Sequence, residues 1–122
     1  ALERAGRSIA DMGYLAVYDS FSVTLALLLE ALGVSEPGRA GQDAAAGRFA
    51  RGGPLPLNTH GGLLSYGHCG VAGAMAHMAE AWAQMTGRAD GRAIAGEPAH
   101  AIYHGDGGVL SSHVTLVMER LS

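Results

Sequence analysis

A chain of 122 residues with eight Arg, no Lys, eleven acidic residues and a net charge of −3 has no basic stripe to track a phosphate backbone, so nucleic acid is excluded as a partner. The missing Lys also removes a Walker-type phosphate-binding lysine and a Schiff-base lysine. With 48% hydrophobic and 16% charged residues and no apolar run long enough to cross a bilayer, the composition predicts one soluble globular domain over residues 1–122, with no membrane span.

Taken in chain order, "ALERAG" at residues 1–6 reads as the end of a helix closed by Gly6, which leads to the expectation that the chain starts inside a structural unit and is a fragment of a longer protein. "YLAVY" (Tyr14 to Tyr18) is a β-prone run. A helix follows, with Leu25, Leu28, Leu29 and Leu32 on one face, Asp19, Ser20 or Ser22 available to cap it and Gly33 to stop it. Residues 34–55 read as a long loop with one helical turn near Gln42 to Ala46, and "LPLN" (Leu55 to Asn58) as a second short strand. A long helix is expected from Cys69 or Gly70 to Thr86, stopped by Gly87. The chain closes with "HAIYH", a tight "GDGG" turn (Gly105 to Gly108) and the alternating strand "HVTLVMERL". The order α, β-α, β-α, β-β predicts an α/β fold ending in an antiparallel hairpin, its four short strands forming one sheet.

The long helix carries Val71, Met75, Met78, Trp82 and Met85 in one stripe and Ala72, Ala76, Ala79 and Ala83 in a second, leaving a narrow polar strip of His77, Glu80 and Gln84. The methionines and tryptophan are expected in the core. A helix apolar over most of its circumference is expected to be covered on two sides, the second cover coming from another domain or chain.

The candidate chemistry gathers in "NTHGGLLSYGHCGVAGAMAH", where a glycine-rich run holding His68 and the only cysteine, Cys69, enters that helix. His68 is read as functional rather than as a cap, because of its glycine surroundings. Cys69 sits near a positive helix end, where a thiolate is favoured, but small buried cysteines are commonly inert. Tyr18 and Tyr66 are each either ordinary aromatics or active-site phenols, and His104 either flanks a hairpin or transfers protons. Asp106 is expected to make the turn. Gly67, Gly70 and Gly73 fail the dinucleotide spacing; they permit close backbone approach and leave N–H groups free at a helix start. His60, His77, His100 and His113 show no metal-ligand spacing, so no metal site is expected. A single cysteine allows no internal disulfide and no signal segment is evident, so a cytoplasmic location is expected.

"YDSF", "NTHGGLLSYGHCGVAGAMAH" and "HGDGG" resemble, in order and spacing, the C-terminal half of the thiolase superfamily, nearest its lipid-transfer-protein and sterol-carrier-protein branch. The resemblance implies two similar α/β halves around a central helical layer. It places the "GHP" motif on Gly67, His68 and Cys69, so that His68 matches the histidine that activates a cysteine nucleophile and helps hold the thioester oxygen. The "NEAF" motif falls on Tyr18, Asp19, Ser20 and Phe21, a phenol replacing the asparagine that positions an oxyanion-hole water. The "CxGGG" motif falls on His104, Gly105, Asp106, Gly107 and Gly108, a histidine replacing the acid/base cysteine, with Gly107 and Gly108 beside substrate.

The resemblance implies an acyl-CoA enzyme that makes or breaks a carbon–carbon bond beside a CoA thioester, with CoA thioester as substrate and no further cofactor. Three readings stand: an acetyltransferase or thiolase whose nucleophilic cysteine lies outside this chain; a retro-aldolase on a 3-hydroxyacyl-CoA using Tyr18, Tyr66 and His68 beside an OB-fold acyl-CoA-binding partner; or a catalytically silent lipid or acyl-CoA binding module. A homodimer is expected, as is a missing N-terminal half or another chain over the central helix.

Overall fold

The computed structural model describes residues 1–108 and 110–121, and of Val71 the backbone alone. Three strands form a mixed sheet in the order β1-β2-β3: β1 (Tyr14–Val17), β2 (His100–Gly107) and β3 (Ser112–Glu119). β1 pairs with β2 in parallel, Val17 opposite His104, and β2 pairs with β3 as the closing antiparallel hairpin. Five helices accompany the sheet: α1 (Leu2–Ala5), α2 (Ser22–Ala31), α3 (Ala40–Ala45), α4 (Leu63–Tyr66) and α5 (Val71–Met85).

Side-chain alternation along the sheet feeds two cores. Leu15, Val17 and Ile102 point to one face, where Leu28 and Leu29 of α2 pack with Met12, Val34 and Phe49. Tyr14, Ala16, Ala101 and Tyr103 point to the other, against Ala81 and Met85 of α5. With helices on both faces, all four residues of β1 are buried, which is why its sequence is apolar without alternation. The α2 stripe therefore packs as its spacing predicts. No side chain caps α2, whose N-cap is Phe21; Asp19 is engaged elsewhere, and Gly33 ends the segment at φ 73°.

Two strand expectations are corrected. "LPLN" forms no strand and contributes a single parallel bridge, Leu57 to Leu15. Pro56 has no N–H to extend a ladder, although its carbonyl accepts from Leu15 N–H at 2.9 Å. At Asn58 the side chain takes over: Oδ1 accepts from Val17 N–H at 3.0 Å and Nδ2 donates to Val17 O at 2.7 Å. The expected "GDGG" turn lies inside β2 through Gly107, and the chain reverses around Gly108 and Leu110, both at positive φ.

The long helix matches its expected span, but its apolar stripe is only partly covered. Ala74, Met78, Ala81 and Met85 pack on the sheet, His77, Glu80 and Gln84 are buried beside them, and Met75 is 61% and Trp82 48% exposed. Among the described side chains of the apolar stripe only Met85 is buried, so the core assignment of the methionines and tryptophan is corrected for Met75 and Trp82. The polar strip can face inward because its groups find partners. Glu80 takes the Arg92 guanidinium at 2.9 Å, accepts from Thr59 Oγ1 at 2.8 Å and from Gln84 Nε2 at 3.1 Å, and Tyr14 Oη lies 3.1 Å from Thr59 Oγ1. Among the described residues no helix is long and apolar enough to cross a membrane.

Candidate functional site

Parallel pairing of β1 and β2 brings their C-terminal ends to the same edge, the place where open α/β sheets present ligand sites. Tyr18 N–H donates to His104 O at 2.9 Å, which ties the "YDSF" segment to the "HGDGG" segment. The N-terminus of α5 and the loop before it arrive at the same edge. A cavity of about 470 Å³ opens there, lined by Tyr18, Ser20, Phe21, Thr24, His68, Asp106, Gly107, Gly108 and Leu110.

Tyr18 and His68 meet at its wall, the phenol oxygen in short contact with His68 Nε2 and the two rings edge to face, centroids 5.6 Å apart. Gly70 N–H donates to His68 Nδ1 at 3.3 Å. With Nδ1 accepting, the proton of the neutral ring sits on Nε2 and is offered to the phenol oxygen, which frees the Tyr18 hydroxyl proton for the cavity. Burial, followed by the carboxylates of Asp106 and Asp19 and the Cys69 thiol, pushes the Tyr18 phenol above its ordinary range.

Asp19 turns away from the cavity into the fold. Its carboxylate accepts from Leu63 N–H at 2.9 Å and from Leu64 N–H at 3.5 Å, and lies 3.1 Å from His77 Nε2, off the axis of an in-line hydrogen bond. Burial acts to raise this carboxyl, but His77 and the two backbone donors together outweigh it and hold it below the ordinary value. Gly62 must be glycine here: its φ is 65°, and a Cβ would overlap the Asp19 carboxylate.

Of the other residues singled out from sequence, Gly107 and Gly108 line the cavity, whereas Tyr66, at the end of α4, and Gly67, Cys69 and Gly70, in the loop after it, are exposed and do not. Tyr66 packs on His60, ring centroids 5.3 Å apart. The three loop N–H groups expected to be free are engaged: Gly67 donates to Leu63 O at 2.9 Å, Gly70 to His68, and Gly73 to Gly70 O at 3.1 Å. His104 is buried on the Val17 side of the sheet and does not line the cavity. Its Nδ1 lies 2.8 Å from Thr115 Oγ1 and its ring stacks on His113 at 5.3 Å; burial and then His113 lower its pKa. Asp106 both shapes the turn, accepting from Leu110 N–H at 2.9 Å, and lines the cavity.

Sequence reasoning passed over Asp19, His60 and His77. Asp19 reads there as a possible cap and as part of the "NEAF" match, His77 as part of a polar strip and both histidines as lacking metal spacing; the available signal was a histidine and two other polar residues inside an otherwise apolar helix. Among the described residues no cluster of three or more His, Cys, Asp or Glu is placed to hold a metal ion.

Fold and site together define an α/β domain that presents a phenol–imidazole pair at the strand ends and leaves Met75 and Trp82 of its long helix exposed. The chain belongs to the thiolase C-terminal domain-like family, whose model, described as "Thiolase C-terminal domain-like", matches residues 1–120. It is 34% identical over 94 residues to sterol carrier protein 2 of Oryctolagus cuniculus, covering 77% of this chain and 17% of that protein. It is 31% identical over 116 residues to the acetyl-CoA acetyltransferase of Methanothermobacter thermautotrophicus, covering 93% of this chain and 30% of that enzyme. Among solved structures, the Ltp2-ChsH2(DUF35) aldolase superposes with a TM-score of 0.81 at 28% identity, over 96% of this chain and 29% of that one. The chain thus spans less than a third of the length of each of these relatives.

Proposed function

We propose that this chain is the C-terminal part of an acyl-CoA enzyme that breaks or forms a carbon–carbon bond beside a CoA thioester, and that the reaction is retro-aldol cleavage of a 3-hydroxyacyl-CoA. The observation that carries the reading is the Tyr18–His68 contact at the cavity wall, where a phenol stands in place of the family asparagine. Tyr18, as phenolate, takes the proton of the β-hydroxyl. The Cα–Cβ bond breaks, the β-carbon leaves as a ketone, and the electron pair moves into the thioester enolate, which is then protonated at Cα to give the shorter acyl-CoA. The His68 Nε2–H steadies the Tyr18 phenolate. The Tyr66 phenol, its pKa raised by burial and then by Asp19 and the Cys69 thiol, stays protonated and donates to the thioester oxygen as negative charge develops there. CoA thioester is the substrate and no further cofactor enters.

Thiolysis is the second reading, supported by the likeness to an acetyl-CoA acetyltransferase over nearly the whole chain. It requires a nucleophilic cysteine from outside these residues, and a proton carrier where His104 now faces away from the cavity. In either case an N-terminal half or another chain covers α5, in a homodimer, and the solved aldolase with a DUF35 component supports an OB-fold acyl-CoA-binding partner for the cleavage reading. The enzyme acts in the cytoplasm. The 122-residue chain alone is then inactive.

The test is made on the full-length protein purified with any partner that accompanies it. It is incubated with a 3-oxoacyl-CoA plus free CoA and, separately, with a β-branched 3-hydroxyacyl-CoA, and the products are identified by mass. Retro-aldol cleavage releases a ketone and a shorter acyl-CoA without free CoA. A shorter acyl-CoA formed only with free CoA establishes thiolysis instead, and no turnover of either leaves a binding module.

A further inference from the structure

The buried pair Asp19–His77 has no part in the chemistry described so far, and its placement is costly. His77 is fully buried, and neither its ring nitrogens nor those of neighbouring His60 make an in-line hydrogen bond among the described residues. Such groups cost stability that an apolar side chain at the same helix position would not. Yet His77 is the hub of the site. Its ring lies 6.2 Å from Tyr18 and 5.0 Å from His60, and His60 lies 5.3 Å from Tyr66. Asp19 follows Tyr18 in the chain, while its carboxylate holds the first N–H groups of α4, the turn that ends at Tyr66 and leads directly to His68.

We propose that Asp19 and His77 form a buried positioning clamp that locks the end of β1 to the α4 turn and so fixes Tyr18, Tyr66 and His68 relative to one another. The carboxylate joins the two segments, and the imidazole backs both phenols, Tyr18 directly and Tyr66 through His60. Gly62 is part of the same device, since only a residue without Cβ leaves room for the carboxylate. The clamp also sets a charge. Tyr18 is faced by His68, His77, Asp106, Cys69 and Tyr103, and Tyr66 by His60, Cys69 and Glu80; Asp19 is the carboxylate that raises both phenols.

The clamp deepens the cleavage reading and rests on it only for the kinetic part of its test. In the full-length protein, Asp19→Asn is expected to lower kcat about tenfold with KM within about twofold, since the reacting groups and not the groups that hold the rest of the substrate are disturbed. The limb on which the rate rises with pH should move to lower pH, because a negative charge beside the phenols is gone. His77→Gln, which keeps an amide N–H for the carboxylate, should retain more kcat than His77→Leu; a packing role alone would reverse that order. A readout independent of turnover is near-ultraviolet tyrosinate absorbance titration. A step absent from Tyr18→Phe or Tyr66→Phe should move to lower pH in Asp19→Asn. An unchanged titration in a folded Asp19→Asn protein, or His77→Leu matching or exceeding His77→Gln, overturns the clamp, and the histidine pair decides the matter where Asp19→Asn does not fold. Failure of the wild type to turn over either CoA ester would sink the cleavage reading while the titration still judges the clamp.

Discussion

At the scale of single residues, the decisive replacement is a phenol for an amide. An asparagine at position 18 could orient a water but not exchange a proton near neutral pH, whereas Tyr18 can, provided something stabilises its phenolate. His68 Nε2–H is placed to do so, and the Gly70 N–H on Nδ1 fixes the ring in the tautomer that donates. The sign of the pH dependence follows. Burial and the carboxylates nearby raise the Tyr18 pKa, so on the proposed cleavage reading the rate is expected to climb as the pH rises toward that raised value. Tyr18→Phe is expected to lower kcat by about a hundredfold and to abolish the climb, as measured by the pH profile of ketone release from a β-branched 3-hydroxyacyl-CoA. A Tyr18→Phe enzyme that keeps the wild-type profile would remove the phenol from the chemistry. Tyr18 and His68 were visible in the sequence because each stands inside a motif. The position of His104 was not, since strand alternation after a register set by β1 decides which face a residue takes, and that register depends on pairing 87 residues away.

Among the elements, α5 shows where pattern reading succeeds and where it fails. Its span was legible from the flanking glycines and the 3.6-residue spacing of its apolar positions. Its buried face was not, because periodicity identifies a polar strip without saying whether that strip meets water or partners. Here the partners are distant in sequence: Thr59 from the loop before α4, Arg92 from the 3-10 turn at Asp90–Arg92, Asp19 from the end of β1. Glu80 is the most exacting member, its side chain 4% exposed and held by an Arg92 that is 48% exposed. Replacing Arg92 with Met leaves the buried carboxylate without its counter-charge, and is expected to cost about 2 kcal/mol of stability in denaturant titration, a figure kept low because the guanidinium is half in water. Burial acts to raise the Glu80 carboxyl, but Arg92, Thr59 and Gln84 outweigh it and hold it below its ordinary 4.5. A depressed carboxyl contributes stability above the unfolded-state value and loses it as the pH falls through the folded one. The gap between wild type and Arg92→Met should therefore be full at neutral pH and narrow below about 4.5. A gap that does not change with pH would mean that Arg92 acts by packing its aliphatic stem.

For the whole molecule, the open face of α5 is the feature that a lone domain does not explain. Met75 and Trp82 stand exposed on it beside Ala72 and Ala79, with the Arg88 guanidinium 4.9 Å from the centroid of the tryptophan ring. The two-sided cover expected from the apolar circumference is half present: the sheet covers Ala74, Met78, Ala81 and Met85, and leaves Met75 and Trp82 exposed. Relatives of the chain are more than three times its length, and the proposed function places a second layer over that face. Charge distinguishes a covered face from a solvent one. A carboxylate introduced into solvent changes stability by about 0.5 kcal/mol or less, whereas one forced under a packed layer costs several kcal/mol because its hydration is lost. The double substitution Met75→Glu with Trp82→Glu is accordingly expected to leave the 122-residue chain as soluble as before, or more so, and to lower the unfolding temperature of the full-length protein by well over the few degrees that about 1 kcal/mol brings. Equal effects in chain and full-length protein would mean that α5 faces water in both. The clamp, the cavity and the phenol–imidazole pair would then have to work from this layer alone, and the proposed inactivity of the isolated chain would fall with the cover.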